Sequence, residues 1–278
     1  MNNYFKNLTF LIVTYKSEHI INDCIKKIPK ESKIIIIENS RNSSLVEQFK
    51  SNNNLKVILN ENMGYGQAIN IGLSKVDTDY AFLISPDVLL GNDTLKLIFE
   101  AINTLKNEFT VIGPTANKID SNENFIKEEN ISSGQAMLIN LDKIKDRKLF
   151  DENFFLFYED HDFCIEIKKN GGKIFTVANC DIKHYGKNST QYSFKVEVLR
   201  NYHYYWSHFY FHKKHSGILL AYVRSSKKFF GSLSQYIFAI LLFKHKKKYI
   251  NRYKVLGLLC SFLGKPASLR LEDLTGDV

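Results

Sequence analysis

Over the first 115 residues, short apolar runs alternate with segments of helical spacing, and polar turns separate the two. Residues 8–14, LTFLIVT, form a run rich in β-branched side chains, and residues 33–40, KIIIIENS, repeat that pattern after a helical stretch, HIINDCIKKI. Another run, LKVILN at 55–60, leads into NMGYGQAINIGLSKV, where glycines precede apolar residues at helical intervals. DYAFLISPD follows as a buried strand that ends at a polar turn. Alternation of this kind predicts an α/β fold with a mostly parallel central sheet flanked by helices, whose ligands bind beyond the carboxyl ends of the strands. Thr14 and Tyr15, Glu38-Asn39-Ser40, the stretch 60–66 and Ser85-Pro86-Asp87 all fall at such ends.

Further along come a helix, LKLIFEAINTL, and a strand, TVIGPTAN. DSNENFIKEEN reads as a surface loop, and ISSGQAMLIN as a strand opened by a glycine. After the aromatic run FFLFY, a helix starts near Glu159 and stops at Gly171 and Gly172, with a strand, KIFTVA, beyond it. There is no internal repeat and no linker rich in proline or glycine. The nearest thing to a boundary is a composition shift near residue 198, which predicts an α/β domain over 1–200 and a basic, aromatic-rich helical extension over 201–278.

At 278 residues, with 44% apolar and 24% charged positions, the chain can bury one main core and is neither fibrous nor disordered by composition. Its four cysteines, Cys24, Cys164, Cys180 and Cys260, are too scattered for a disulfide framework or a zinc site, which fits a reducing compartment. The N-terminal run is flanked by polar residues and reads as a strand, not a signal peptide. The net charge of +9 belongs to the tail: residues 198–271 hold 14 Lys or Arg and no Asp or Glu, leaving 24 basic against 29 acidic residues elsewhere. Because these cations interleave with apolar stretches such as FFGSLSQYIFAILLF, a membrane surface suits them better than nucleic acid.

Three places carry candidate chemistry. Asp87, in a turn stiffened by Pro86, offers a carboxylate over the sheet edge, where it could hold a hard divalent cation and through it a diphosphate. Glu159, Asp160 and Asp162 cluster at a helix start, where acids favour the helix dipole. So apolar a lead-in also predicts partial desolvation, which equips one of them to take a proton from a hydroxyl nucleophile. His184, after a strand in DIKHYG, is structural or, together with Asp87, a nitrogen ligand for a borderline metal such as Mn²⁺. Gly64-Tyr65-Gly66 is neither a dinucleotide fingerprint nor a phosphate loop, and alone reads as a turn and helix start.

The order of these features over residues 7–215 resembles that of glycosyltransferase family 2, most closely its rhamnosyltransferase-like branch. An opening V-T-Y-N-S is matched by Val13-Thr14-Tyr15-Lys16-Ser17, and a second-strand D-N-x-S by Glu38-Asn39-Ser40. The run N-x-G-[FY]-[AG]-x-[AG]-x-N-x-G is matched by Asn62, Gly64, Tyr65, Gly66, Ala68, Asn70 and Gly72. The N-P-D turn appears as Ser85-Pro86-Asp87, and an S-G-A strand as Ser133-Gly134-Gln135-Ala136. The acidic helix start F-x-Y-x-E-D-x-D-L-C appears from Phe155 to Cys164, and H-x-x-x-S is close to His184 through Ser189.

This resemblance implies a GT-A fold and an inverting transfer of a sugar, rhamnose among the candidates, from a dTDP- or UDP-sugar to a saccharide acceptor in bacterial surface polysaccharide synthesis. It implies that Thr14, Tyr15, Glu38 and Asn39 line the base and ribose pocket, with Gly64, Tyr65, Gly66, Asn70 and Ser85 beside the donor. Asp87 and His184 would hold Mg²⁺ or Mn²⁺. Asp160 would be the general base, supported by Glu159 and Asp162. Glu38 stands where the family has Asp, so the base contact is re-registered or lost; Ser85 leaves one carboxylate in its turn; Lys16 replaces an Asn.

In the tail, NYHYYWSHFYFHKKH mixes rings with cations as interfacial helices do, and the apolar stretch 229–243 is shorter than the roughly 20 residues that cross a bilayer. The expectation is peripheral attachment to the inner face of the cell membrane, suited to a lipid-linked acceptor. The alternatives are a helical hairpin packed on the catalytic body or on a second subunit, and, for the whole chain, a non-catalytic sugar-binding or scaffolding protein of the same fold.

Overall fold

The computed structural model describes residues 2–91, 93–120, 123–146, 148–186 and 189–274. The chain divides into two compact units, one of residues 1–151 and 160–191, the other of 152–159 and 192–278.

The first unit is built on a sheet of eight strands: β1 (Leu8–Thr14), β2 (Lys33–Glu38), β3 (Leu55–Leu59), β4 (Tyr80–Ile84), β6 (Val111–Pro114), β7 (Ile126–Glu129), β8 (Ala136–Asn140) and β9 (Ile174–Val177). Their order is β3-β2-β1-β4-β8-β6-β9-β7. The half formed by β3, β2, β1 and β4 is parallel throughout, as its strand-helix alternation requires. β8 enters antiparallel between β4 and β6, while β6 and β9 are parallel.

Every residue of β1 is buried, and alternate side chains feed two cores. Leu8, Phe10 and Ile12 join Ile34, Ile36 and Phe82 on one face, and Leu11 and Val13 join Ile35, Ile37 and Leu83 on the other. Helices α2 (Ile21–Ile25) and α5 (Thr94–Thr104) cover the first face through Ile21, Cys24, Ile98 and Phe99. Helices α4 (Tyr65–Leu73) and α6 (Glu159–Lys169) contribute Ala68, Ile69, Leu73, Phe163 and Cys164 to the second. Two short helices, α1 (Asn2–Lys6) and α3 (Ser44–Phe49), complete this part.

The stretch read as a polar loop contains β7, which forms the sheet edge by pairing antiparallel with β9. A second, two-stranded sheet joins β5 (Val88–Leu90) to β10 (Ile182–His184), with Val88 opposite His184. Thr94 Oγ1 donates to the Asp181 carbonyl at 2.8 Å, and the Gly91 amide to the same oxygen at 2.6 Å. These bonds fasten the short ribbon where three residues per strand would not hold by themselves.

The second unit is helical, with α7 (Phe194–Ser216), α8 (Ile218–Leu241) and α9 (His245–Phe262). Ser193 caps α7 by accepting from the Val196 amide at 3.2 Å. Tyr202 and Trp206 of α7 pack with Phe155 and Ala267, while Phe209, Ala221 and Leu258 form a further cluster. The composition shift at residue 198 therefore falls inside α7.

Candidate active site

Three groups of sequence-predicted residues take shape, two at the carboxyl ends of parallel strands and one at the start of α6. The first surrounds Glu38, the last residue of β2. Its side chain is fully buried, and both carboxylate oxygens are engaged: Thr14 Oγ1 donates to one, and the Ser40 amide, at 2.6 Å, and the Ser40 hydroxyl donate to the other. The Asn39 amide donates to the Thr14 carbonyl at 2.8 Å, and Asn60 Nδ2 to Asn39 Oδ1 at 2.9 Å. The ends of β1, β2 and β3 are thus tied into one polar knot. Tyr15, half-buried, follows directly, and the Lys16 backbone at φ 54° turns the chain so that the Tyr15 amide donates to Ser17 Oγ at 3.2 Å.

The second group follows β4. The Ser85 carbonyl accepts from the Val88 amide at 3.0 Å, closing the Ser-Pro-Asp turn. Asp87 is nearly buried, and its Oδ2 lies 3.3 Å from Nε2 of His184, whose side chain is 30% exposed. The β5–β10 ribbon makes this contact: the Tyr185 amide donates to the Asp87 carbonyl at 3.0 Å, which sets His184 beside a carboxylate 97 positions earlier in the chain. A carboxylate oxygen and an imidazole nitrogen this close can share a proton or a cation. Two neighbouring ligands of an octahedral ion at roughly 2.1 Å would stand about 3 Å apart. One oxygen and one nitrogen donor, nearly buried on the carboxylate side and open on the imidazole side, therefore fit a borderline divalent cation.

The third group lies at the start of α6. Asp160 is partly buried, with the Gly134 amide donating to its Oδ2 at 3.0 Å and the His161 amide to its Oδ1 at 2.9 Å. Each oxygen keeps a second lone-pair position. A side chain at Gly134 would place its Cβ 2.8 Å from that of Asp160, so only glycine lets this backbone approach. Asp162 is buried, as is Glu159.

One segment joins the second group to the third. The Gln135 carbonyl accepts from the Ser85 amide at 2.9 Å, while the preceding amide, that of Gly134, holds Asp160. Backbone directly before β8 thus bridges the Asp87 turn and the Asp160 carboxylate.

The remaining predicted residues divide by task. Gly64, at φ 120°, a conformation open chiefly to glycine, starts α4, with Tyr65 half-buried and Gly66 buried behind it. Asn70 has both amide atoms committed to Phe150, donating to its carbonyl at 2.8 Å and accepting from its amide at 2.9 Å. Its part is to clamp the 150 region onto α4. The knot and the bridge also depend on Ser40 and Gly134: the signal for Gly134 lay in the S-G-A pattern, while Ser40 fills the variable position of D-N-x-S and was marked by its place at a strand end. Lys187 and Asn188, inside the span from His184 to Ser189, lie outside the described residues.

Comparison with known proteins bears on the same part of the chain. A model of the family described as Glycosyl transferase family 2 matches residues 9–165. A curated relative, the low-salt glycan biosynthesis hexosyltransferase Agl10 of Haloferax volcanii, is 21% identical over 206 residues, which are 63% of this chain and 65% of that protein. The chain thus spans slightly under two thirds of that relative's length. Among solved structures, the mannosyltransferase PcManGT of Pyrobaculum calidifontis, determined with GDP-Man and Mn²⁺, superimposes with TM-score 0.55 at 13% identity, covering 93% of this chain and 88% of its own. GalNAc-T7, determined with UDP, GalNAc and Mn²⁺, gives TM-score 0.53 at 15% identity, covering 72% and 50%. At such identities the likeness is one of fold, and the fold is GT-A.

Proposed function

Because the chain belongs to glycosyl transferase family 2, we propose that it moves a sugar from a nucleoside-diphosphate donor onto a saccharide hydroxyl with inversion at the anomeric carbon. The observation that carries this reading is the bridge at Gly134 and Gln135, which sets a cation-competent turn on one side and a fixed carboxylate on the other.

In this mechanism Asp160 accepts the proton of the acceptor hydroxyl on one of its remaining lone pairs, while the Gly134 and His161 amides hold the carboxylate in place. The acceptor oxygen forms its bond to the anomeric carbon as the bond from that carbon to the diphosphate oxygen breaks. The charge left on the diphosphate develops on the side of Asp87 and His184. Mg²⁺ or Mn²⁺ bound there would neutralise that charge. Asp162 and Glu159 support the base from the same helix. Thr14, Tyr15 and Asn39 border the nucleoside, and the turn at Gly64, Tyr65 and Gly66 stands beside the donor. Glu38 acts behind them by shaping the pocket wall, since its oxygens are spent on Thr14 and Ser40.

The donor is a dTDP- or UDP-sugar, with dTDP-rhamnose first among those to test on the strength of the branch resemblance. The acceptor is a lipid-linked saccharide of bacterial surface polysaccharide, met at the cytoplasmic face of the cell membrane. The test is release of nucleoside diphosphate from a panel of dTDP-, UDP- and GDP-sugars with Mg²⁺ or Mn²⁺, comparing wild type with Asp160→Asn. Turnover of one donor class, lowered about 10²- to 10⁴-fold in the variant, is the expected result. Equal release by both proteins would remove Asp160 as the base. Absence of release from every donor would favour the non-catalytic reading, which the single carboxylate of the Ser85 turn already allows.

A further inference from the structure

Helix α8 has two faces of opposite character. Ala221, Ser225, Ser232 and Ala239 are buried, and their small side chains allow close packing within the helical unit. Roughly opposite, at helical spacing, stand Leu219, Val223, Phe230, Ile237 and Leu241, exposed by between 49% and 80%. A surface helix of a water-soluble domain places polar residues on that side, and an apolar stripe this long marks a contact site.

We propose that α8 lies in the plane of an anionic lipid surface and inserts this stripe, with Phe243 at its end, among the acyl chains. The helix has 24 residues and is about 36 Å long, and no described helix is long and apolar enough to cross a membrane. Such a helix lies along the interface instead of through it.

Charge selects the occupant. Phe243 is 83% exposed and is followed at once by Lys244, Lys246 and Lys247, all exposed, while Lys227 emerges within the stripe. With no Asp or Glu from 198 to 271, a second copy docked through this face would bring like charges together, whereas anionic headgroups neutralise them. Lys227 can bury its stem and keep its ammonium among the headgroups. The purpose of docking, presenting the enzyme to a lipid-linked acceptor, rests on the proposed function; the docking itself does not.

The test is co-sedimentation of the full chain with vesicles of phosphatidylcholine alone and of an equimolar mixture with phosphatidylglycerol. Wild type binds the anionic vesicles at least about tenfold more tightly than the neutral ones, and added salt weakens that binding. Phe230→Glu combined with Leu241→Glu lowers anionic binding at least about tenfold, as does Lys244→Glu combined with Lys246→Glu and Lys247→Glu. Nucleotide-induced thermal stabilisation, measured on the same samples, stays at the wild-type level in both variants and reports on the donor site separately. Wild-type affinity in the Phe230/Leu241 variant, or absence of wild-type binding to either vesicle, overturns the proposal. So does a wild-type dimer, dissolved by the same variant, that binds no vesicles.

Discussion

Glu38 ends β2 and Asp87 follows β4, the two strands that flank β1, yet their surroundings differ. Glu38 is sealed, each oxygen taken up by a neighbouring hydroxyl or amide. Asp87 has a half-open partner, a histidine delivered by a separate ribbon. A carboxylate whose lone pairs are spent inside the fold is scaffold; one that faces a second donor atom can hold something exchangeable. Position at a strand end says that a residue is available to a site, and its hydrogen bonds say for what.

The largest effect that sharpens this contrast is expected from Asp87→Ala, which lowers turnover about 10²- to 10³-fold while the thermal midpoint stays near wild type. Glu38→Ala does the reverse. Stranding Thr14 Oγ1 and the Ser40 amide costs about 2–4 kcal/mol of stability in a denaturant titration. A Glu38→Ala variant of unchanged stability would break the comparison. Next comes Asn70→Ala, which strands the Phe150 carbonyl and amide and costs about 1–3 kcal/mol by the same titration.

An effect that is smallest near neutral pH and grows only with acid belongs to the helical unit. Burial pushes His203 down to about 3 and His208 down to about 4, the latter helped by the neighbouring His212 and Lys228. Both are neutral when folded and protonate near 6.5 when unfolded, so between those limits the unfolded chain binds more protons. Their contribution to stability is therefore complete above pH 6.5 and is lost as pH falls toward about 4 for His208 and about 3 for His203, with a slope of up to about 1.4 kcal/mol per pH unit for each histidine. Replacing His208 by Gln should flatten the acid limb of a pH-dependent unfolding series.

The parallel half of the sheet was legible because its strands are short, mostly apolar runs rich in β-branched residues, KIIIIE the clearest, set between segments of helical spacing. The helix starts at Gly64 and Glu159 were marked by turn glycines and by a cluster of acids, respectively. The β5–β10 ribbon was not, because strands of three residues show no periodicity and their pairing depends on bonds from Thr94 and Gly91. β7 was hidden for a related reason: IKEE at a sheet edge keeps only Ile126 buried. Motif order placed Asp87, His184 and Asp160 on the candidate roll. The inward turn of Glu38 and the clamp made by Asn70 depend on partners such as Thr14 and Phe150, the latter 80 residues away, which no local pattern names.

The central claim is that Asp87 and His184 together make the cation-dependent seat of the donor diphosphate. Its most direct test is the thermal stabilisation of wild type, Asp87→Ala and His184→Ala by UDP and dTDP, each with and without Mn²⁺. The account predicts stabilisation of wild type by one of these nucleotides that requires Mn²⁺, disappears in Asp87→Ala and is reduced in His184→Ala. Nucleotide stabilisation of equal size in wild type and Asp87→Ala, with or without Mn²⁺, would contradict it.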